Sequence, residues 1–170
     1  MKTIKFLMII LMMCFNFMAI GQDCKYERNE KDKFTGKVVR ETKMAPVYAN
    51  KLDPQSKSMF FIFLQVDSIN YLSVSKWYSD IISVSKGDKL MMIFQDGESV
   101  SLECLKYSIA DSYSGKWNIN IDYYIPKEIL KSLQTKNITD IRIYTTTGYF
   151  EESVLIKQSE KIKVLANCVN

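Results

Sequence analysis

The stretch KLMMIFQDGESVSLEC, residues 89–104, predicts the β-hairpin around which we expect the rest of the chain to be organised. Asp96 and Gly97 lie between two apolar runs. This dipeptide favours a type I′ turn, because both central residues of that turn need a positive φ. Further alternation downstream leads us to expect a three-stranded antiparallel meander over residues 87–125.

A two-residue turn at Asp96 and Gly97 also predicts the register of the hairpin. The pairs on one face would be Gln95 with Glu98, Ile93 with Val100, Met91 with Leu102, and Lys89 with Cys104. We expect this largely apolar set to face the core. The pairs on the opposite face would be Phe94 with Ser99, Met92 with Ser101, and Leu90 with Glu103. We expect that face to be only partly covered.

Two other segments predict long strands. Residues 59–66 are nearly all apolar, which is typical of a strand buried on both faces in the middle of a sheet. Residues 117–125 alternate between apolar and polar side chains, as a half-buried strand does. Helical patterns follow Pro126 and span residues 157–169. The sequence therefore predicts an α+β fold, mainly antiparallel β, with a curled sheet, open barrel or sandwich of about 7–9 strands, one crossover helix and one C-terminal helix.

Residues 1–21 have the pattern of a signal peptide. Lys2 and Lys5 are basic, residues 6–20 are apolar apart from one asparagine, and small residues precede Gln22. The apolar run is shorter than the roughly 20 residues that span a bilayer. We predict cleavage after Gly21 and no transmembrane span in the mature chain.

The predicted mature chain has a charged start and a balanced charge. Eight of the twelve residues from 22 to 33 are charged, so we expect a solvated N-terminal arm, followed by a single globular α+β domain over residues 34–170. The formal net charge is +4, and two of these charges lie in the leader. Basic and acidic residues alternate in the remainder, which argues against nucleic-acid binding.

Three cysteines remain after the leader. Cys104 lies on the predicted core face of the hairpin, where it would act as a small buried hydrophobe. Cys24 and Cys168 are near the two ends of the mature chain, and the ends of a domain often lie close together. We therefore predict a Cys24–Cys168 disulfide, formed in an oxidising compartment.

Most catalytic arrangements are missing from the sequence. The chain has no histidine, which removes the commonest general base, the usual serine and cysteine triads and the usual zinc sites. We expect no catalytic residue, cofactor or metal site. A small hydrolase with paired carboxylates stays open, because such enzymes need only two acidic residues. Glu151 and Glu152 would point to opposite faces of a strand and could not act together.

The best candidate for a recognition surface is the polar face of the strand at residues 117–125. Asn118, Asn120, Asp122 and Tyr124 recur at two-residue spacing and combine amides, a carboxylate and an aromatic ring, which suits binding of sugars or peptides. The alternative is an ordinary solvated sheet face. We favour a non-enzymatic binding module for an envelope protein or glycan. A hydrolase and a carrier of an apolar ligand inside a barrel are the alternatives.

Several segments together resemble a known group of proteins. They are the leader, the strand–helix–strand unit of residues 117–146, and the ending IRIYTTTGYFEE at residues 141–152, followed by a terminal helix with Cys168. These features resemble small secreted proteins of unknown function from Bacteroidota-type bacteria. The resemblance implies an exported bacterial protein, secreted or periplasmic, and it implies no catalytic or binding residue.

Overall fold

The computed structural model describes residues 24–48, 58–113 and 115–169, so the predicted leader lies outside the described residues. The first strands are β1 (Tyr26–Lys31), β2 (Val38–Thr42), β3 (Ala45–Tyr48), β4 (Met59–Val66), β5 (Ile69–Tyr78), β6 (Ser83–Val84) and β7 (Lys89–Phe94). They are followed by β8 (Ser99–Glu103), β9 (Ser108–Ile109), β10 (Asp111–Tyr113), β11 (Lys116–Tyr124), helix α1 (Lys127–Thr135), β12 (Ile138–Thr145), β13 (Gly148–Ser153) and helix α2 (Ile156–Ala166).

The strands form two main antiparallel sheets and a short ribbon. The larger sheet has the order β1-β2-β4-β5-β11-β10, and β3 also pairs with β4. The smaller sheet has the order β13-β12-β7-β8, and β6 pairs with β9. The predicted α+β class with mainly antiparallel strands is therefore confirmed. The strand number exceeds the expected range because β3, β6, β9 and β10 have only two to four residues.

The core lies between the two sheets, which do not close into a barrel. Phe61 and Phe63 of β4 belong to the same buried apolar cluster as Leu90 and Met92 of β7 and Ile143 of β12. All five are almost fully buried. Close packing of this kind fills an interior with side chains. A carrier with a ligand inside a barrel is therefore not favoured.

The hairpin forms where it was predicted, but its turn is one residue longer. The N–H of Phe94 donates to the C=O of Glu98 at 2.9 Å, and the N–H of Gly97 donates to the C=O of Phe94 at 2.9 Å. Gly97 has a φ of 85°, whereas Asp96 keeps a negative φ. This is a three-residue loop with a G1 bulge at Gly97 rather than a type I′ turn.

Because the turn is one residue longer, the opposite face of β7 packs against the core. Leu90 lies opposite Leu102, and Met92 lies opposite Val100. Leu90 and Met92 are fully buried, while Ile93 is 44% exposed. The prediction that Met91 and Ile93 face the core was wrong, because a shift of one residue in register moves a whole set of side chains to the other face.

The expected three-stranded meander is also wrong. β7 and β8 pair with each other, but β11 belongs to the larger sheet, between β5 and β10. An isolated bridge between Cys104 and Tyr123 joins the end of the hairpin to β11. The segment between them contains β9 and β10 and connects the smaller sheet to the larger one.

The charged N-terminal segment is a strand rather than a solvated arm. β1 pairs with β2 along the edge of the larger sheet, and five of its six side chains are exposed. The charges therefore stay in water while the backbone is hydrogen-bonded. Charged side chains on an edge strand also discourage pairing with other chains.

A buried ion pair joins the two sheets across the core. The Lys76 side chain on β5 is only 2% exposed, and its Nζ lies 3.3 Å from Oε1 of Glu152 on β13. The same ammonium lies 5.3 Å from the ring centre of Tyr78 and 5.2 Å from that of Phe150. Desolvation and the nearby Glu152 carboxylate raise the pKa of Tyr78. These contacts compensate a charge that would be costly in an apolar interior.

The two helices are fastened to each other and to the smaller sheet by side-chain hydrogen bonds. Ser159, which is fully buried in α2, accepts the N–H of Ile138 at the start of β12, at 2.7 Å. Gln134 of α1 donates to the C=O groups of Ala166 and Val169, each at 3.1 Å. The C-terminal end of α2 is therefore held firmly against the body of the domain.

Candidate functional site

The larger sheet turns one face away from the core, and three neighbouring strands supply its side chains. β11 contributes the polar row that the sequence predicted: Asn118, Asn120, Asp122 and Tyr124. Their neighbours in the chain, Ile119, Ile121 and Tyr123, are buried, so the four polar positions share the opposite face. This alternation follows from the two-residue period of a β-strand.

The strand register continues this face across β5 and β4. Opposite the polar row of β11 lie, in order, Trp77, Ser75, Ser73 and Tyr71 of β5. On the other side of β5, Ser75 lies opposite Phe60, Ser73 opposite Ile62, and Tyr71 opposite Leu64. Phe60, Ile62, Leu64 and Val66 are half-buried. We call these three rows of β4, β5 and β11 the outer face of the larger sheet.

Two of the four predicted recognition residues already have partners in the fold. Asn118 donates to Oγ of Ser75 at 3.1 Å and to the C=O of Lys76 at 3.3 Å. Asp122 forms an ion pair with Lys106 at 2.9 Å, and this contact raises the pKa of the Lys106 ammonium. These contacts hold the side chains of Asn118 and Asp122 in place, so both are less available to a ligand than the other two.

The other two residues remain available to a ligand. Asn120 is exposed, and Tyr124 is 47% exposed. The ring of Tyr124 meets that of Tyr71 edge-on, with ring centres 6.5 Å apart. The pair of aromatic rings therefore lies at one end of the outer face, and the amide of Asn120 lies four residues away along β11. Such a combination can supply both hydrogen bonds and apolar contact area.

The apolar row of β4 is the part of this face that the sequence did not predict. We expected β4 to be buried on both faces, but only Met59, Phe61, Phe63 and Gln65 face the core. Phe60 and Ile62 point to the other side and are only half-buried. A continuous apolar run has no alternation, so its pattern does not indicate which side chains of the strand face away from the core.

The predicted disulfide is present. Cys24 and Cys168 are bonded, with 5.5 Å between their Cα atoms, and the bond joins the start of β1 to the end of α2. Nearby, the hydroxyl of Tyr26 donates to the C=O of Cys168 at 2.8 Å. A disulfide is typical of proteins in oxidising compartments.

Cys104 is a free, buried thiol, as predicted. Its Sγ donates to the C=O of Lys106 at 2.9 Å. Desolvation raises the pKa of this thiol. Because the thiolate is the nucleophilic form, the raised pKa disfavours a catalytic role.

The two adjacent glutamates of β13 do not form a hydrolytic pair. As predicted, Glu151 and Glu152 point to opposite faces of β13: Glu151 contacts Arg142 in solvent, and Glu152 contacts the buried Lys76. Among residues 24–48, 58–113 and 115–169, the carboxyl groups with a shifted pKa are Asp32, Asp96 and Glu98, and in each the pKa is lowered. A glycosidase instead needs an acid with a raised pKa.

The described residues contain neither a metal-binding cluster nor a membrane-spanning helix. No group of three or more cysteine, aspartate or glutamate side chains in these parts of the chain is arranged to hold a metal ion. Neither described helix has the length and apolar character needed to cross a bilayer.

No protein-family model matches the chain, and no curated protein or solved structure is significantly similar to it. The resemblance to small exported bacterial proteins therefore stays a prediction from the sequence. Functional inference depends on the geometry of this molecule alone.

Proposed function

We propose that the protein is an exported, non-enzymatic binding module whose outer face of the larger sheet contacts another protein. The observation that carries this proposal is the half-buried apolar row of β4, Phe60 to Val66, which shares its face with the polar row of β11 on the other side of β5. Stable protein interfaces typically combine an apolar centre with a polar rim. Three of the four side chains in this row are aliphatic, which suits a protein partner better than a sugar.

Aromatic side chains strengthen the case for a protein partner. Trp77, Tyr71 and Tyr124 lie along the same face as Ile62 and Leu64. Tryptophan and tyrosine are enriched among the residues that contribute most to binding energy at interfaces. We therefore expect the centre of contact to lie on β4 and β5, with β11 at its polar edge.

Export is part of the proposal and has separate support. The N-terminal segment has the pattern of a signal peptide, with cleavage expected after Gly21. The Cys24–Cys168 disulfide suits the periplasm or the cell exterior. The partner would then be an envelope protein.

A glycan is the second candidate ligand, favoured by one local feature. The Tyr71–Tyr124 ring pair lies next to Asp122 and on the same row as Asn120, and aromatic faces near amide and carboxylate groups suit sugar rings. In this case binding would depend on Tyr124 and Asn120. It would depend little on Leu64.

The test is affinity capture of envelope components by the mature protein, residues 22–170, followed by direct binding of the purified partner. We expect a partner that untagged protein displaces and that binds Leu64→Glu at least tenfold more weakly. Ser101→Glu, on an exposed position of the smaller sheet, is the matched control. Equal binding by the wild type and Leu64→Glu would reject the outer face as the contact surface. Loss of binding in Asn120→Ala and Tyr124→Ala alone would favour the glycan.

A further inference from the structure

A second surface feature shares no residue with the outer face of the larger sheet. It is a groove of about 570 Å³ between β3 and α2, and four lysines lie around it: Lys25, Lys43, Lys157 and Lys161. Its volume is within the range of small-molecule sites, about 300–1,000 Å³. We call this feature the lysine groove.

The floor of the lysine groove is apolar. Met44 and Pro46 line it from the β3 side, and Val164 and Leu165 line it from α2. Met44 is 60% exposed, so its side chain is accessible to a ligand. A linear apolar chain could lie along this floor and remove these side chains from water.

The charges around the groove are strongly unbalanced. Glu160 is its one acidic lining residue. Within residues 24–48, 58–113 and 115–169, none of the four lysines forms an ion pair with a carboxylate. In the described part of the chain, the groove therefore combines four lysines that have no ion-pair partner with an apolar floor, and this combination is complementary to an anionic head group with an apolar tail.

The positions of two of these lysines are unfavourable for the stability of α2. Lys157 and Lys161 are spaced i, i+4 on α2, where like charges destabilise a helix. Lys157 also lies in the first helical turn, where the helix dipole disfavours cations. An anion bound between them would relieve both effects.

The disulfide holds the remaining lysines beside the helix. Cys24 is bonded to Cys168 just after α2, so the adjacent Lys25 is held next to the groove. The N–H of Lys43 donates to the C=O of Lys25 at 3.1 Å, which holds the backbones of these two lysines side by side. The arrangement of the cations is therefore built into the fold.

We propose that the lysine groove binds a single-chain anionic amphiphile, a molecule with one acyl chain and a carboxylate or phosphate head. The chain lies on Met44, Pro46, Val164 and Leu165, and the head is bound by the lysines. This site is independent of the proposed protein contact on the larger sheet.

The test uses decanoate below its micelle concentration as the probe, with binding followed by calorimetry and by amide NMR shifts at α2 and β3. We expect decanoate to bind. Acetate, which lacks the chain, and decyltrimethylammonium, which reverses the charge, are expected not to bind. Equal binding of the cationic and anionic amphiphiles, or no binding of decanoate, would overturn the proposal.

Variants distinguish binding in the lysine groove from non-specific attraction between an anion and the lysines of the protein surface. Lys157→Gln with Lys161→Gln should weaken decanoate binding by about tenfold or more, and Met44→Asp should do the same. Lys127→Gln with Lys131→Gln removes two exposed lysines at the same spacing on α1 and should leave binding unchanged. Equal effects of the two double variants would overturn the proposal. Binding to anionic vesicles without binding to decanoate would do so too, because it would indicate a membrane surface as the ligand.

Discussion

Both sheets of the sandwich turn one face away from the core, but the two outward faces differ in how their side chains are partnered. On the smaller sheet, Nε of Arg142 donates to Glu151 at 2.7 Å, and its guanidinium lies 4.5 Å from the ring centre of Tyr149. Ser153 donates to Asp140 on the same face at 2.8 Å. These polar groups are paired with one another across neighbouring strands.

The outer face of the larger sheet is different because its β4 row has no polar groups to pair. Phe60, Ile62, Leu64 and Val66 are only half-buried, next to the serine and tyrosine side chains of β5. Exposed apolar patches rimmed by polar residues mark interaction sites more often than ordinary surface does. The comparison indicates that the outward polar groups of β12 and β13 are paired with one another, whereas the outward row of β4 offers apolar contact area to a partner.

The largest change in the free energy of unfolding is expected between variants on the two sides of β4. Phe61→Ala should lower the free energy of unfolding by about 3–5 kcal/mol, because it leaves a cavity in the core. Phe60→Ala removes the same side chain from the outward row and should cost far less. Urea unfolding of the two variants measures the difference. Equal losses would mean that the outward row is as well packed as the core.

A second pair of variants compares the interior with the outward face of the smaller sheet. Glu152→Gln leaves the buried Lys76 ammonium without its carboxylate, and we expect a loss of about 3 kcal/mol in the free energy of unfolding. This value is at the low end for such losses because the Glu152 side chain is 25% exposed.

The adjacent Glu151→Gln is the control for this variant. Glu151 pairs with Arg142 in solvent, so its loss should not measurably change stability. Chemical denaturation of both variants at neutral pH gives the comparison. A larger effect of Glu151→Gln would show that the outward ion pair, rather than the buried one, holds the smaller sheet.

The smallest effect concerns the hairpin of the smaller sheet and its dependence on pH. Lys136 lies 2.6 Å from Asp96 and also contacts Glu98. Hydrogen bonds from Lys136 lower the pKa of both carboxyls below their ordinary values of 3.8 and 4.5. A lowered pKa in the folded state stabilises the fold above the unfolded-state pKa, and this stabilisation is lost as the pH falls through the folded-state pKa.

Lys136→Gln tests this dependence. The variant should melt slightly below the wild type at pH 7, and the difference in melting temperature should disappear as the pH is lowered from 5 to 2. Thermal unfolding followed by circular dichroism measures both. A difference that persists unchanged at low pH would mean that Lys136 stabilises the hairpin through its contact with the Phe94 ring instead.

Much of the fold could be predicted because local pattern and tertiary environment agree. The bounds of β4 coincide with the predicted apolar run, and β11 follows the alternation that placed Ile119 and Ile121 inward. The Cys24–Cys168 disulfide could be predicted because few cysteines remain after the leader and the ends of a domain often meet.

The hairpin register could not be predicted for a physical reason. A glycine with positive φ fits both a two-residue type I′ loop and a three-residue loop with a G1 bulge, and these differ by one residue in register. Which loop forms depends on whether Phe94 or Ile93 packs in the core, and that choice is made by the facing sheet.

Half of the candidate site could be predicted from the sequence. The alternation of β11 located Asn120 and Tyr124. The outward side chains of β4 could not be located, because its continuous apolar run has no alternation.

Site-specific photo-crosslinking in the producing cells tests most directly whether the outer face of the larger sheet is the contact surface. A photoreactive amino acid would replace Tyr124 on the outer face in one variant and Ser101 on the smaller sheet in another; both positions are exposed. We predict a discrete crosslinked protein from position 124 that is absent from position 101. Crosslinking from position 101 alone, or from neither position, would contradict the proposed contact surface.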